Sequence, residues 1–140
     1  PNCRFVADFI GESNFLHGVV ECQDKDSVVV HLAGLEEKIV GRPQGKLSVG
    51  EKVVISIRPE KIRLADHAAM QQNCYPCKVV NTVYIGSDTR VIVELSGGKR
   101  INVWEQNKVS TLDPTAIYNR GQSIWALMFP ENTLVIPEVE

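Results

Sequence analysis

The sequence is short of what most chemistry needs. Three histidines and four cysteines are scattered over 140 residues, and only nine residues are aromatic (four Phe, three Tyr, two Trp). Histidines this dispersed give little support for a nucleophile–histidine–acid triad. Neither G-x-G-x-x-G, G-x-S-x-G nor H-E-x-x-H occurs. Gly41-Arg42-Pro43-Gln44-Gly45-Lys46-Leu47 comes nearest to a phosphate loop, but has three residues between its glycines where four are needed. Leu47 stands where a magnesium-binding hydroxyl belongs, and Pro43 removes an amide from the cradle, so the segment reads as a turn. No catalytic, cofactor-binding or metal-ligating residue is therefore assigned. Positive charge is not in excess either: 15 Lys+Arg against 17 Asp+Glu leave a net charge of −2. A polyanion gets no global attraction, and aromatics interleaved with basic residues are missing. Lys99-Arg100 has no basic companion run, and Trp104 and Trp125, in apolar strand contexts, read as barrel core. Nucleic acid is excluded as a partner. The longest apolar runs, such as Val53 to Ile57, are far below the roughly 20 residues of a spanning helix. No secretory signal stands at the front. Pro1, rather than Met, leads straight into a helical pattern, which reads as a piece of a longer protein.

Cys74 and Cys77 make one C-x-x-C pair, while Cys3 and Cys22 are isolated. A structural zinc site wants a second pair or close histidines, and the nearest, His67, lies seven residues before Cys74. A redox pair sits at a strand-to-helix turn, whereas Lys78 to Val83 is strand-like. Inert thiols in a reducing compartment are the expectation.

What is present is β structure. Arg4 to Ile10 predicts one short helix, with Phe5/Phe9 and Val6/Ile10 as i,i+4 pairs and Gly11 at the cap position. Beyond it, Val28-Val29-Val30, Val53-Val54-Ile55 and Val91-Ile92-Val93 are β-branched runs bounded by Gly, Asp or Pro. These runs repeat. Val28-x-Val30-x-Leu32-x-Gly34 matches Val91-x-Val93-x-Leu95-x-Gly97, and Val40 matches Val103, at a shift of 63 (28 to 91). Val19-Val20 matches Val79-Val80 at a shift of 60 (19 to 79), and Pro59-Glu60 matches Pro130-Glu131 at 71 (59 to 130). Three collinear blocks predict an internal duplication. The expected division is a junction helix over 1–15, a first repeat over 16–64, a linker over 65–75 and a second repeat over 76–140. Each repeat holds about five short strands, too few for its own sandwich core, so two tandem OB-like barrels or half-barrels are predicted, an all-β fold.

The corner Ser56-Ile57-Arg58-Pro59-Glu60 has two readings. Pro59 cannot donate a ladder hydrogen bond, so the strand breaks there or lies at an edge, with solvated charges around it. Alternatively, Arg58 and Glu60, held by the proline, are presented to a partner. The second copy carries Phe129 in place of Arg58.

These residues resemble a known family. Arg4-Phe5-Val6-Ala7-Asp8-Phe9-Ile10-Gly11-Glu12-Ser13-Asn14-Phe15 is similar to the junction that follows the nucleotide-binding domain in ABC importer ATPase subunits. Ser56-Ile57-Arg58-Pro59-Glu60-Lys61-Ile62 resembles the I-R-P-E segment of their transport-associated OB (TOBE) domain. Tyr84-Ile85-Gly86-Ser87-Asp88-Thr89 resembles the second barrel half of the spermidine/putrescine branch. Cys74-Tyr75-Pro76-Cys77 departs from the family pattern. The resemblance implies a regulatory and dimerisation region behind an ATPase domain that binds ATP and Mg. Its partners would be a second ATPase subunit and transmembrane permease subunits, at the cytoplasmic face of a bacterial inner membrane. Gly11, Glu12, Arg58, Pro59 and Glu60 are the candidate dimer or regulatory contacts. The alternative is a free-standing small-ligand module for oxyanions. Ser87-Asp88-Thr89-Arg90 is its candidate ligand loop, with Ser96-Gly97-Gly98-Lys99 as a second. Should the solute or a regulatory small molecule be a polyamine, carboxylates such as Glu36, Glu37, Asp88 and Glu94 are candidates to face it.

Overall fold

The computed structural model describes residues 13–35, 37–68, 72–86, 88–106 and 118–138. The helix expected over Arg4 to Ile10 lies outside these residues, and so do Gly11, Glu12, Glu36 and Ser87. Among the described residues ten strands follow in chain order: β1 (Asn14–Gln23), β2 (Val28–Leu32), β3 (Lys38–Pro43), β4 (Lys52–Ile57), β5 (Ile62–Ala65), β6 (Cys74–Ile85), β7 (Asp88–Leu95), β8 (Arg100–Gln106), β9 (Ser123–Met128) and β10 (Thr133–Pro137). The period-2 pattern explains them. In β7, Thr89, Val91, Val93 and Leu95 all point inward, and in β2 Val28, Val30 and Leu32 do the same. No α-helix occurs among the described residues, and no helix there is long and apolar enough to cross a membrane.

Sheet membership departs from chain order at the last strand of each half. One sheet closes as a barrel in the order β1-β2-β3-β10-β4, and the other runs β5-β9-β6-β7-β8. Thus β10 completes the barrel begun by β1 to β4, pairing antiparallel with β4 and parallel with β3. In return β5 pairs with β9. The second sheet curls so that β8 approaches β5 without pairing to it, giving one closed barrel and one half-barrel.

The ladders confirm the matching of Val28, Val30 and Leu32 to Val91, Val93 and Leu95, and correct two other matches by one residue. Val20 bonds to Glu51 and Gly50 as Val79 bonds to Gln122 and Gly121, so Val20 corresponds to Val79, a shift of 59 (20 to 79). Likewise Val28 faces Gly41 as Val91 faces Val103, so Gly41, not Val40, corresponds to Val103. One residue matters because it exchanges the faces of a strand. Val20 and Val79 are both buried, whereas Val19 is exposed.

Two closely packed glycines follow from this geometry. A Cβ on Gly41 would lie 2.6 Å from the Thr133 carbonyl oxygen and 2.9 Å from Val135 Cγ2, because β10 crosses there. Among the described residues no strand is paired at that side of β8, and Val103 fits. Gly97, at φ +92°, has its Cα against the Gly34 carbonyl, so a side chain would meet backbone as well as an unfavourable dihedral.

The two sheets are fastened by a pair of asparagines that correspond at the shift of 59 (14 to 73). Asn14 Nδ2 donates to the Asn102 carbonyl (2.8 Å), and the Asn102 N–H donates to Asn14 Oδ1 (2.7 Å). Asn73 does the same to Val40: its Nδ2 donates to the Val40 carbonyl (2.7 Å) and the Val40 N–H donates to its Oδ1 (2.9 Å). Asn73 Nδ2 also donates to the Met128 carbonyl (2.7 Å). Both residues are buried, at 5% and 7% exposure, so each side-chain amide replaces water for backbone groups of the other sheet. Asn73 takes φ 63°, a left-handed conformation that asparagine tolerates better than most residues.

Candidate functional site

The repeated Pro-Glu corners build the site. After β4 the buried Pro59 opens a 3-10 turn over Pro59–Lys61, closed by the Lys61 N–H donating to the Arg58 carbonyl (2.9 Å). Its fixed φ suits the start of such a turn, and it has no N–H to leave unpaired. Arg58, Glu60 and Lys61 are thereby left on the surface. The second copy forms the same turn over Pro130–Asn132, with the Asn132 N–H donating to the Phe129 carbonyl (2.9 Å). Since each last strand crosses to the other sheet, both corners arrive at one place. Between them lies a cleft of about 380 Å³.

Its floor is the outer face of the closed barrel where β3, β10 and β4 run side by side. Leu134 sits in register with Arg42 on one side and Ser56 on the other. Strands spaced about 4.8 Å apart put Arg42 and Ser56 within one strand's width of the leucine. Arg58 and Lys61 from the first corner, and Glu131 from the second, complete the charged wall. Three cations thus face one carboxylate. Arg58 Nε lies 3.6 Å from Glu60 Oε2, but both side chains are about half exposed, so solvent screens the pair.

Other candidate residues are distributed differently. Asp88 begins β7 opposite Gln106, Thr89 is buried on the inner face, and Arg90 is outward. The Arg90 guanidinium lies 4.1 Å from the centroid of Trp104, and its enclosed Nε has no hydrogen-bond partner among the described residues. Ser96, Gly97, Gly98 and Lys99 form the β7–β8 hairpin tip, and Gly97 packs against Gly34. The tryptophans are not core. Ile101 and Val103, and Ile124 and Ala126, take the inward positions, so alternation turns Trp104 and Trp125 outward, half-buried. Sequence reading did not single out Asn14, Asn73, Arg42 or Lys61. The asparagines carry a signal, two residues before Leu16 and Tyr75 in the two copies, that appears only at the shift of 59.

Cys74 and Cys77 lie on the single strand β6. Three residues of strand separate their Cα atoms by about 10 Å and point the side chains to opposite faces, beyond the roughly 7 Å that a disulfide spans. Burial, with a smaller contribution from Cys74, pushes the Cys77 thiol up to about 12. In the native protein Cys77 is therefore expected to resist a thiol reagent at pH 8 while the exposed Cys22 reacts at once. Labelling of single-cysteine variants tests this, and rapid modification of folded Cys77 would refute it. Because the folded thiol keeps its proton to higher pH than the unfolded one, this group costs stability as pH rises from about 9 to about 12.

Residues 55–136 match the family described as the TOBE domain. The chain belongs to this family. A spermidine/putrescine import ATP-binding protein PotA from Frankia alni is 34% identical, covering 99% of this chain and 31% of the relative. One from Pseudomonas aeruginosa is 36% identical, over 90% of this chain and 34% of the relative. The TOBE chain thus spans about a third of the length of these relatives. A solved structure of the cytoplasmic molybdate-binding protein ModG, with molybdate bound, aligns with a TM-score of 0.77 at 16% identity, over 91% of this chain and 98% of that one. The likeness to ModG establishes the double OB-like fold.

Proposed function

We propose that this chain is the C-terminal regulatory and dimerisation region of the ATP-binding subunit of a polyamine-type ABC importer, working at the cytoplasmic face of the membrane. The observation that carries the reading is the match of nearly the whole chain to about a third of import ATP-binding proteins. ATP and Mg belong to the preceding domain in this reading, and permease subunits are engaged through it. Here the TOBE region acts as a second contact between two ATPase subunits. It makes re-closure of the ATPase halves an intramolecular event at high effective concentration. A regulatory ligand shifts that cycle only through unequal affinity for the open and closed forms. The coding sequence upstream tests the proposal: a domain with G-x-x-x-x-G-K-[S/T] is expected. An initiator codon immediately before Pro1 would overturn it.

The exposed first corner is the proposed dimer contact. Arg58→Glu is expected to weaken self-association about tenfold, by placing a like charge where a cation pairs across the axis. The melting temperature should stay nearly unchanged, since Arg58 is half exposed and its pair with Glu60 is screened. Sedimentation velocity with thermal unfolding checks both; an equally large loss of stability would show the corner to be structural.

A further inference from the structure

We propose that the cleft between the two Pro-Glu corners is a binding site for a small organic anion, one carrying a phosphate or carboxylate group on an apolar body. The charge comes first. Arg42, Arg58 and Lys61 line it from β3, from the residue that follows β4 and from the first 3-10 turn, against the carboxylate of Glu131 in the lining and that of Glu60, 3.6 Å from Arg58 Nε. In a chain whose overall charge is −2, this is a local reversal of sign. Neither Arg42 nor Lys61 is engaged in an ion pair among the described residues. Two guanidinium groups supply the planar donor forks that match phosphate and carboxylate oxygens.

The shape narrows the ligand. A volume of about 380 Å³ is at the lower end for small-molecule sites and several times that of a bare tetrahedral ion. Leu134, 39% exposed, makes an apolar floor directly beneath the charged wall, which the buried Ile136 continues below it. Ser56 and Asn132 add neutral polar groups to the lining. An inorganic oxyanion would leave that floor wet, whereas an organic body covers it. The site also requires both halves of the chain, because its floor strand β10 and Glu131 come from the second repeat and its cations from the first. Binding is a property of this chain and stands whether or not an ATPase domain precedes it. Ser13, at the entry to β1, borders the cleft, so under the import-ATPase reading an occupant sits beside the connection to that domain.

Isothermal titration of the 140-residue chain at low ionic strength, with phenyl phosphate and with inorganic phosphate, tests the proposal. Phenyl phosphate is expected to bind at a single saturable site, at least about tenfold tighter than inorganic phosphate. Arg42→Gln and Arg58→Gln should each weaken it about tenfold or more, while Lys25→Gln, in the exposed β1–β2 turn outside the cleft, leaves it unchanged. Leu134→Asp, which places a carboxylate on an already exposed position, should abolish it. Thermal unfolding of each variant establishes that it is folded, and Lys61→Gln serves if an arginine variant is not. Absence of saturable binding overturns the site. Equal weakening by Lys25→Gln would reduce it to general charge attraction, and equal affinity for inorganic phosphate would overturn the role of the apolar floor.

Discussion

Replacing Asn73 by alanine is expected to cost about 3–5 kcal/mol of stability, a large part of the 5–15 kcal/mol a domain of this kind has. The substitution removes the amide that serves the Val40 N–H, the Val40 carbonyl and the Met128 carbonyl. Each buried group left without a partner costs about 1–3 kcal/mol, and alanine at φ 63° adds left-handed strain. Asn73→Asp is expected to be at least as damaging. It keeps one acceptor for the Val40 N–H but turns a second oxygen toward two carbonyls. Asn14→Ala loses two such bonds instead of three and keeps an ordinary strand dihedral, so a smaller loss of about 2–3 kcal/mol is expected. Urea unfolding of the three variants gives the order directly. An Asn73→Ala loss below that of Asn14→Ala would refute the larger share assigned to the three bonds of Asn73.

Gly41→Val is expected to open the barrel seam. It installs the residue that the second copy carries at the corresponding position, Val103, which pairs with β7 on one side and, among the described residues, with no strand on the other. At position 41 the added Cβ lies 2.6 Å from a backbone carbonyl, which cannot rotate away as a side chain can. Overpacking of a filled interior typically costs about 1–3 kcal/mol, and displacing β10 from β3 also gives up their ladder. A total above about 3 kcal/mol is therefore expected, or failure to accumulate folded protein. Gly41→Ala should retain the fold with a smaller loss. Hydrogen exchange then reports where the damage lies. Protection should fall in β3 and β10 and hold in β6 and β7, and uniform loss would refute a local seam defect.

The strands themselves were legible because alternation is a property of one segment and needs no knowledge of its neighbours. Val28 to Val30, Val53 to Ile55 and Val91 to Val93 lie within β2, β4 and β7. Pairing was not legible in the same way. A last strand with one apolar face fits the edge of either sheet, and nothing local in Ile62 to Ala65 or Thr133 to Pro137 says that they exchange. The register slips have a similar origin. Val19-Val20 and Val79-Val80 offer two frames of equal appearance, and only the hydrogen bonds to Glu51 and Gln122 choose between them. The two tryptophans were placed inside on hydrophobicity alone, while the positions beside them held the inward phase. At the site, Arg58-Pro59-Glu60 stood out because proline interrupts a strand. Arg42 looked like part of a turn, and its nearness to Leu134 arises only from the parallel pairing of β3 with β10. The asparagines escaped notice because their partners are main-chain groups 33 and 88 residues away in sequence.

The exchange of last strands sets an order of events during synthesis. When β4 leaves the ribosome the barrel has four of its five strands, and the gap between β3 and β4 stays open until residue 133 has been made. At about 5–20 residues per second, the 76 residues from Ile57 to Thr133 take about 4–15 s. Throughout that interval two strand edges lie unpaired, the condition under which chains associate with one another. Arg42 and Lys52 on those strands, both exposed, carry like charge at the waiting edges and discourage a second nascent chain from filling the place reserved for β10.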